Sequence, residues 1–143
     1  MMLQRSTFLT LSAAVALSVG CFALAFPRAL LESKGVAPTN DAAAVWVREV
    51  GVTIIAQGAI LLLIRKHADS ATLRAIFVGS AMVQLGLFPI ELVAYRERVI
   101  TLVSGIVPNS VLHLVLASGF LVFAARMKAP VAAREQTAVV RRD

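Results

Sequence analysis

With a single cysteine in 143 residues, this chain forms no intrachain disulfide, so its fold rests on packing alone. Within an apolar segment, a lone cysteine such as Cys21 reads as a small packing residue. Charge is also scarce, at 15% of residues, and there are only 2 histidines from which to build a metal site. The chain has no Gly-rich phosphate loop, CxxC pair, HExxH helix or nucleophile elbow. No nucleotide, thiol-redox, zinc or serine-hydrolase chemistry is therefore legible, and no catalytic or metal-binding set is assigned. Long polar stretches are missing too. The longest, after Phe26 and after Met127, leave no room for a separate soluble domain.

What is present is apolar surface. Hydrophobic residues make up 59% of the chain and the mean hydropathy is +0.83. Four apolar runs, Thr7–Phe26, Ala42–Ile64, Ala75–Ala94 and Val99–Ala125, each reach the roughly 20 residues an α-helix needs to cross a bilayer. Pro108 divides the last run, and proline is favoured at a first helical position, so the spanning part is predicted as 108–125. The expected fold is all-α: a four-transmembrane-helix bundle over residues 1–127, followed by a basic cytoplasmic tail at 128–143. Arg5, the apolar run behind it and Ala23-Leu24-Ala25 have the look of a signal peptide. The run exceeds a usual signal core, however, and is read as a retained span.

The net charge of +6 fits a membrane protein better than a nucleic-acid partner, because it is distributed by side. Arg5, Arg65, Lys66, Arg74, Arg126, Lys128, Arg134, Arg141 and Arg142 fall on one side of the predicted spans. Arg28, Lys34, Arg48, Arg96 and Arg98 fall on the other. The richer side is predicted cytoplasmic, which places both termini there. The excess of Arg over Lys, with abundant Ala and Val, hints at a GC-rich bacterium, and the expected location is the bacterial cytoplasmic membrane.

Within the spans, Pro27 ends the first helix, Gly35 closes a short interfacial segment, and Pro38-Thr39-Asn40-Asp41 is an N-cap signal for the second span. The short link from Arg65 to Ser70 predicts antiparallel neighbours on either side of it. Phe26-Pro27-x-x-Leu30 matches Phe88-Pro89-x-x-Leu92, and Gly58 and Arg65 match Gly119 and Arg126. One reading of the bundle is therefore two repeated helical hairpins. Small residues at four-residue spacing, Ser12, Ala16 and Gly20 in the first span and Ala75 and Gly79 in the third, mark faces for close helix packing. Gln57 and Gln84 lie at similar depth and are expected to bond each other across two helices.

The charged and polar residues inside the spans share a level. Arg48 lies 17 residues before Arg65, Glu91 17 after Arg74, and Asn109 17 before Arg126. Each therefore stands ~25 Å above the inner edge. Glu49 and His113 lie just below. The candidate ligand-binding residues are thus Arg48, Glu49, Glu91, Asn109 and His113, with Arg48 and Glu91 expected to pair, and Glu49 as the alternative partner for Arg48. A structural salt bridge and a polar ligand site are both open readings. His113 could bond Asn109, four residues earlier on the same helix face, or could relay protons or ligate a group.

Trp46-Val47-Arg48-Glu49-Val50-Gly51, followed by Gly58, and Pro108-Asn109-Ser110-Val111-Leu112-His113-Leu114 resemble the DoxX-like group of small four-helix bacterial membrane proteins. The likeness spans most of residues 7–126. It implies a four-helix fold and, as for some members, association with quinone-linked oxidoreductases, without carrying over a catalytic residue. The expected function is a non-catalytic accessory subunit of a larger membrane complex. Its partners would be membrane lipids and other integral membrane proteins, or a second copy of the chain. The alternative is a quinone- or lipid-binding protein or membrane enzyme with its polar site in the outer leaflet; a transporter is a weaker third.

Overall fold

A computed structural model of the chain describes residues 4–37 and 41–127. It is all-helical, with no strand among the described residues. The elements are α1 (Arg5–Ala25), α2 (Pro27–Ser33), α3 (Asp41–Ile64), α4 (Ala71–Arg96) and α5 (Val103–Arg126). All but α2 are long and apolar enough to cross a membrane, the build of an integral membrane protein arranged as a four-helix bundle. The N-cap signal at residues 38–40 and the tail 128–143 lie outside the described residues.

The helix boundaries follow from local chemistry. At Phe26 the backbone leaves the helical region, with φ −128° and ψ 56°, and Pro27 restarts the chain as the first residue of α2. Gly35, at φ 71°, ends α2. Its N–H bonds Glu32 O at 2.8 Å while Val36 N–H bonds Leu31 O at 3.1 Å, the paired bonds of a Schellman motif. The same motif ends α4, where Arg98 N–H bonds Tyr95 O and Val99 N–H bonds Ala94 O. There the left-handed position is held by Arg98, at φ 63°. Ser70 caps α4, its hydroxyl accepting from Leu73 N–H at 3.0 Å.

Pro89 lies inside α4, within the span expected at 75–94, and one helix boundary differs from expectation. Pro108 does not start the last helix, because α5 begins five residues earlier at Val103. The early start is held by the neighbouring loop: Thr101 and Leu102 N–H both bond Lys34 O, at 3.2 and 3.3 Å, and the Thr101 hydroxyl donates to Gly35 O at 2.7 Å. Gly105 makes this docking possible, since a Cβ there would lie 2.5 Å from Lys34 Cα.

The closest packing is within two pairs, α1 with α3 and α4 with α5. The expected pairing of the two helices flanking the Arg65–Ser70 link is therefore replaced: α3 and α4 run in opposite directions but approach each other little. Glycine is the reason α1 and α3 win. A Cβ on Gly20 would lie 2.8 Å from Gly51 O, and one on Gly51 would lie 2.9 Å from Gly20 O. Gly58 meets Ala16 in the same seam. Of the Ser12/Ala16/Gly20 stripe, Ala16 and Gly20 lie against α3, and Ser12 is buried. The Ala75/Gly79 stripe faces outward instead. Both residues are exposed, and a Cβ on Gly79 would meet nothing within 4 Å.

The two pairs join at both ends. Beside the α3–α4 link, Phe8, Phe77 and Phe120 stack edge to face, with ring centroids 5.1 and 5.8 Å apart, inside a core that includes Leu9, Leu61 and Leu73. Arg5 tightens this end by pairing with Asp69 and donating to His67 O at 2.5 Å. Arg74 donates to Met127 O at 2.7 Å. At the opposite end, α2 and the loop before α5 close over a polar cluster. Between the two clamps the pairs part, bridged by the hydrogen bond from Gln57 on α3 to Ser80 on α4.

Candidate functional site: a cavity between the helix pairs

Where the pairs part, all four long helices line a cavity of about 420 Å³. Its walls are chiefly aliphatic, and α1 supplies Ser12, α3 supplies Gln57, α4 supplies Gln84 and α5 supplies His113. The pattern of a mostly apolar hollow with a few convergent polar groups is that of a small-molecule site. The gap between α3 and α4 leaves a side opening: Val50 and Val83 line the cavity yet remain 53% and 54% exposed.

The polar groups form a chain leading out of the cavity. His113 Nδ1 stands 2.6 Å from Gln84 Oε1, and His113 Nε2 stands 3.1 Å from Asn109 Nδ2. Asn109 Nδ2 donates to Glu91 Oε1 at 2.5 Å, and Lys34 Nζ donates to the same oxygen at 2.5 Å. The donor and acceptor roles fix a tautomer. The Glu91 carboxylate only accepts, so Asn109 turns its amide nitrogen toward it, and the second amide hydrogen reaches His113 Nε2. Nε2 is then the acceptor, and Nδ1 carries the hydrogen given to Gln84. Beyond Asn109 and Lys34 lies a second hollow of about 340 Å³, between the end of α2 and the start of α5.

Three buried side-chain oxygens are left without a partner among the described residues, those of Glu91, Ser12 and Ser110. Glu91 Oε2 has no hydrogen-bond partner among the described residues and lies 3.8 Å from His113 Nε2. Ser12 Oγ lines the cavity, belongs to a residue only 3% exposed, and is likewise without a partner. A buried hydroxyl left without a bond costs about 1–3 kcal/mol, and that of Ser12 is free to bond a polar group placed in the cavity.

Of the expected site residues, Glu91, Asn109 and His113 meet, as their common depth implies. Arg48 and Glu49 do not join them. Both are exposed on α3, and Lys34 takes the place expected for Arg48 beside Glu91. The reason is angular: Arg48 points away from the α4–α5 side of the bundle, whereas the turn at Gly35 folds Lys34 back over it. Gln57 and Gln84 do not bond each other. Gln57 Nε2 donates to Ser80 Oγ at 2.8 Å, and Gln84 serves His113. Sequence reasoning missed Lys34, Ser12's place in the cavity and the cavity itself. The Gly35 stop signal was the available hint for the first, since it fixes where the chain turns back. Among the described residues no group of three His, Cys, Asp or Glu side chains could hold a metal ion. Searches of protein families, curated proteins and solved structures find no match to this chain.

Proposed function

We propose that this chain binds a lipophilic small molecule of the quinone or lipid class within the membrane. The observation that carries the reading is the cavity: an apolar hollow between two helix pairs, with Gln57, Gln84, His113 and the unpartnered Ser12 hydroxyl converging on it. A carbonyl or hydroxyl headgroup would exchange hydrogen bonds with these groups, while its apolar body lies against the aliphatic walls. The opening at Val50 and Val83 faces the hydrocarbon, so such a ligand enters sideways without passing through water. The basic end holding Arg5, Arg65, Lys66, Arg74 and Arg126 is read as cytoplasmic in a bacterial inner membrane, which sets the Glu91 cluster in the outer leaflet.

The test is native mass spectrometry of protein extracted in mild detergent. A reproducible small-molecule adduct is expected on the parent chain and diminished in Gln84→Leu and His113→Phe. A chain that carries none, or one whose adduct is indifferent to both substitutions, counts against the reading.

A second reading, the accessory subunit of a larger membrane complex, is favoured by a different observation. Gly79 and Gly86 present bare backbone outward on α4, with nothing within 4 Å of either Cβ position, and offer a partner helix close approach. Co-purifying polypeptides at fixed stoichiometry, lost on Gly79→Leu, would favour it. The likeness to DoxX-like proteins is compatible with both readings.

A further inference from the structure

Arg48 and Glu49 are the two site candidates that the bundle leaves outside. Both are exposed on α3, inside a helix read as a membrane span, and neither has a side-chain partner among the described residues. They do not neutralise each other, because consecutive helical residues point about 100° apart. Charges within a span are uncommon and generally paired.

The surroundings of these charges are patterned. Val45, Glu49, Val52, Ala56, Ala59 and Leu63 are all exposed and follow one another at spacings of four, three, four, three and four. That is the a/d repeat of a helix–helix seam, with Glu49, Ala56 and Leu63 at one set of positions and Val45, Val52 and Ala59 at the other. At about 100° per residue the stripe points roughly 120° away from Gly51 and Gly58, which face α1. It points about 120° away from Gln57 and about 180° away from Ile54, which line the cavity. Neither internal contact uses it. Ala56 and Ala59 let a second backbone come close, the main source of helix association in lipid.

We propose that this face of α3 is a self-association surface, on which a second copy of the chain packs in parallel about a two-fold axis along the membrane normal. Charge complementarity selects a copy of the same chain. In a parallel two-fold seam, a knob at the Glu49 position inserts beside the residue before it on the facing helix. Glu49 therefore meets Arg48 of the partner subunit, and Arg48 meets Glu49 of the partner subunit. Four charges cancel at one level without a foreign partner. The polar residue at a seam position also fixes register and parallel orientation, as buried polar residues do in coiled coils. The surface is separate from the ligand cavity and does not depend on it.

The test is cysteine crosslinking of the full chain in native membranes, in a Cys21→Ser background. Seam positions facing their symmetry mates fall within disulfide reach, so oxidation should give a strong dimer band with Ala56→Cys or Ala59→Cys. The outward-facing control on α4, Leu85→Cys, should give little. Adding Glu49→Arg to Ala56→Cys sets four cations together and should cut the crosslinked fraction of inserted chain about tenfold. Adding Arg48→Glu as well restores complementarity and should recover it. Equal crosslinking at Ala56→Cys and Leu85→Cys overturns the proposal, as does a double charge swap that crosslinks no better than Glu49→Arg alone.

Discussion

Replacing Lys34 by Met would remove the cation from a carboxylate that has few other ways to be satisfied. The Lys34 and Glu91 side chains are 22% and 12% exposed, and their charged atoms are 2.5 Å apart. In such surroundings a pair at ~4 Å attracts by about 4 kcal/mol, most of it offset by the desolvation of both ions. Breaking the pair from one side is different, because the offset remains while the attraction is lost. Removing one partner of a buried pair typically costs about 3–5 kcal/mol, and the residual exposure here sets the expectation near 3 kcal/mol. Glu91→Leu should cost less, about 1–2 kcal/mol, since the long Lys34 side chain can turn its amine toward the surface. The double variant removes both charges and leaves only Asn109 short of an acceptor, for a net loss of about 1 kcal/mol. It should therefore be more stable than Lys34→Met alone. Unfolding by SDS in mixed micelles, followed by far-ultraviolet circular dichroism, measures all three. If Lys34→Met lies within about 0.5 kcal/mol of the parent, or the double variant is no better than it, the pair is not buried in the sense argued.

Three further outcomes follow from other parts of the fold. Gly51→Leu should destabilise by at least about 1–3 kcal/mol, because the added carbons meet the Gly20 carbonyl across the α1–α3 seam; a thermal midpoint in detergent unchanged from the parent would refute that seam. Arg98→Gly should stabilise by about 1 kcal/mol, since glycine holds the left-handed position at the end of α4 without strain, and SDS unfolding reports the sign. Ser12→Ala should leave the stability of ligand-free protein within about 1 kcal/mol of the parent, or raise it, because no hydrogen bond is lost; the same substitution should weaken retention of any co-purified small molecule.

Much of the fold was legible in the sequence, and the reason is the bilayer. A run of 20 apolar residues must be helical in lipid, because every backbone polar group has to be satisfied within the segment. The four spans were therefore readable as elements, while their limits shifted: α4 gains the turns carrying Arg74 and Arg96, and α5 starts at Val103 rather than at Pro108. Depth was legible for the same reason: a fixed rise per residue placed Glu91, Asn109 and His113 together before any helix was packed. Which helices touch was not legible. The link from Arg65 to Ser70 brings α3 and α4 into sequence proximity, yet the partner of α3 was chosen by Gly20 against Gly51, a fit between surfaces that no span shows alone.

Length and apolarity thus determined that the chain spans a membrane four times and at what level its polar side chains lie. Only the tertiary structure decided which way each one faces. Rotation about a helix axis is set by packing, and packing sent Lys34 rather than Arg48 to Glu91. It directed Gln84 to His113 rather than to Gln57, turned Ala75 and Gly79 outward, and opened a cavity where the two helix pairs part.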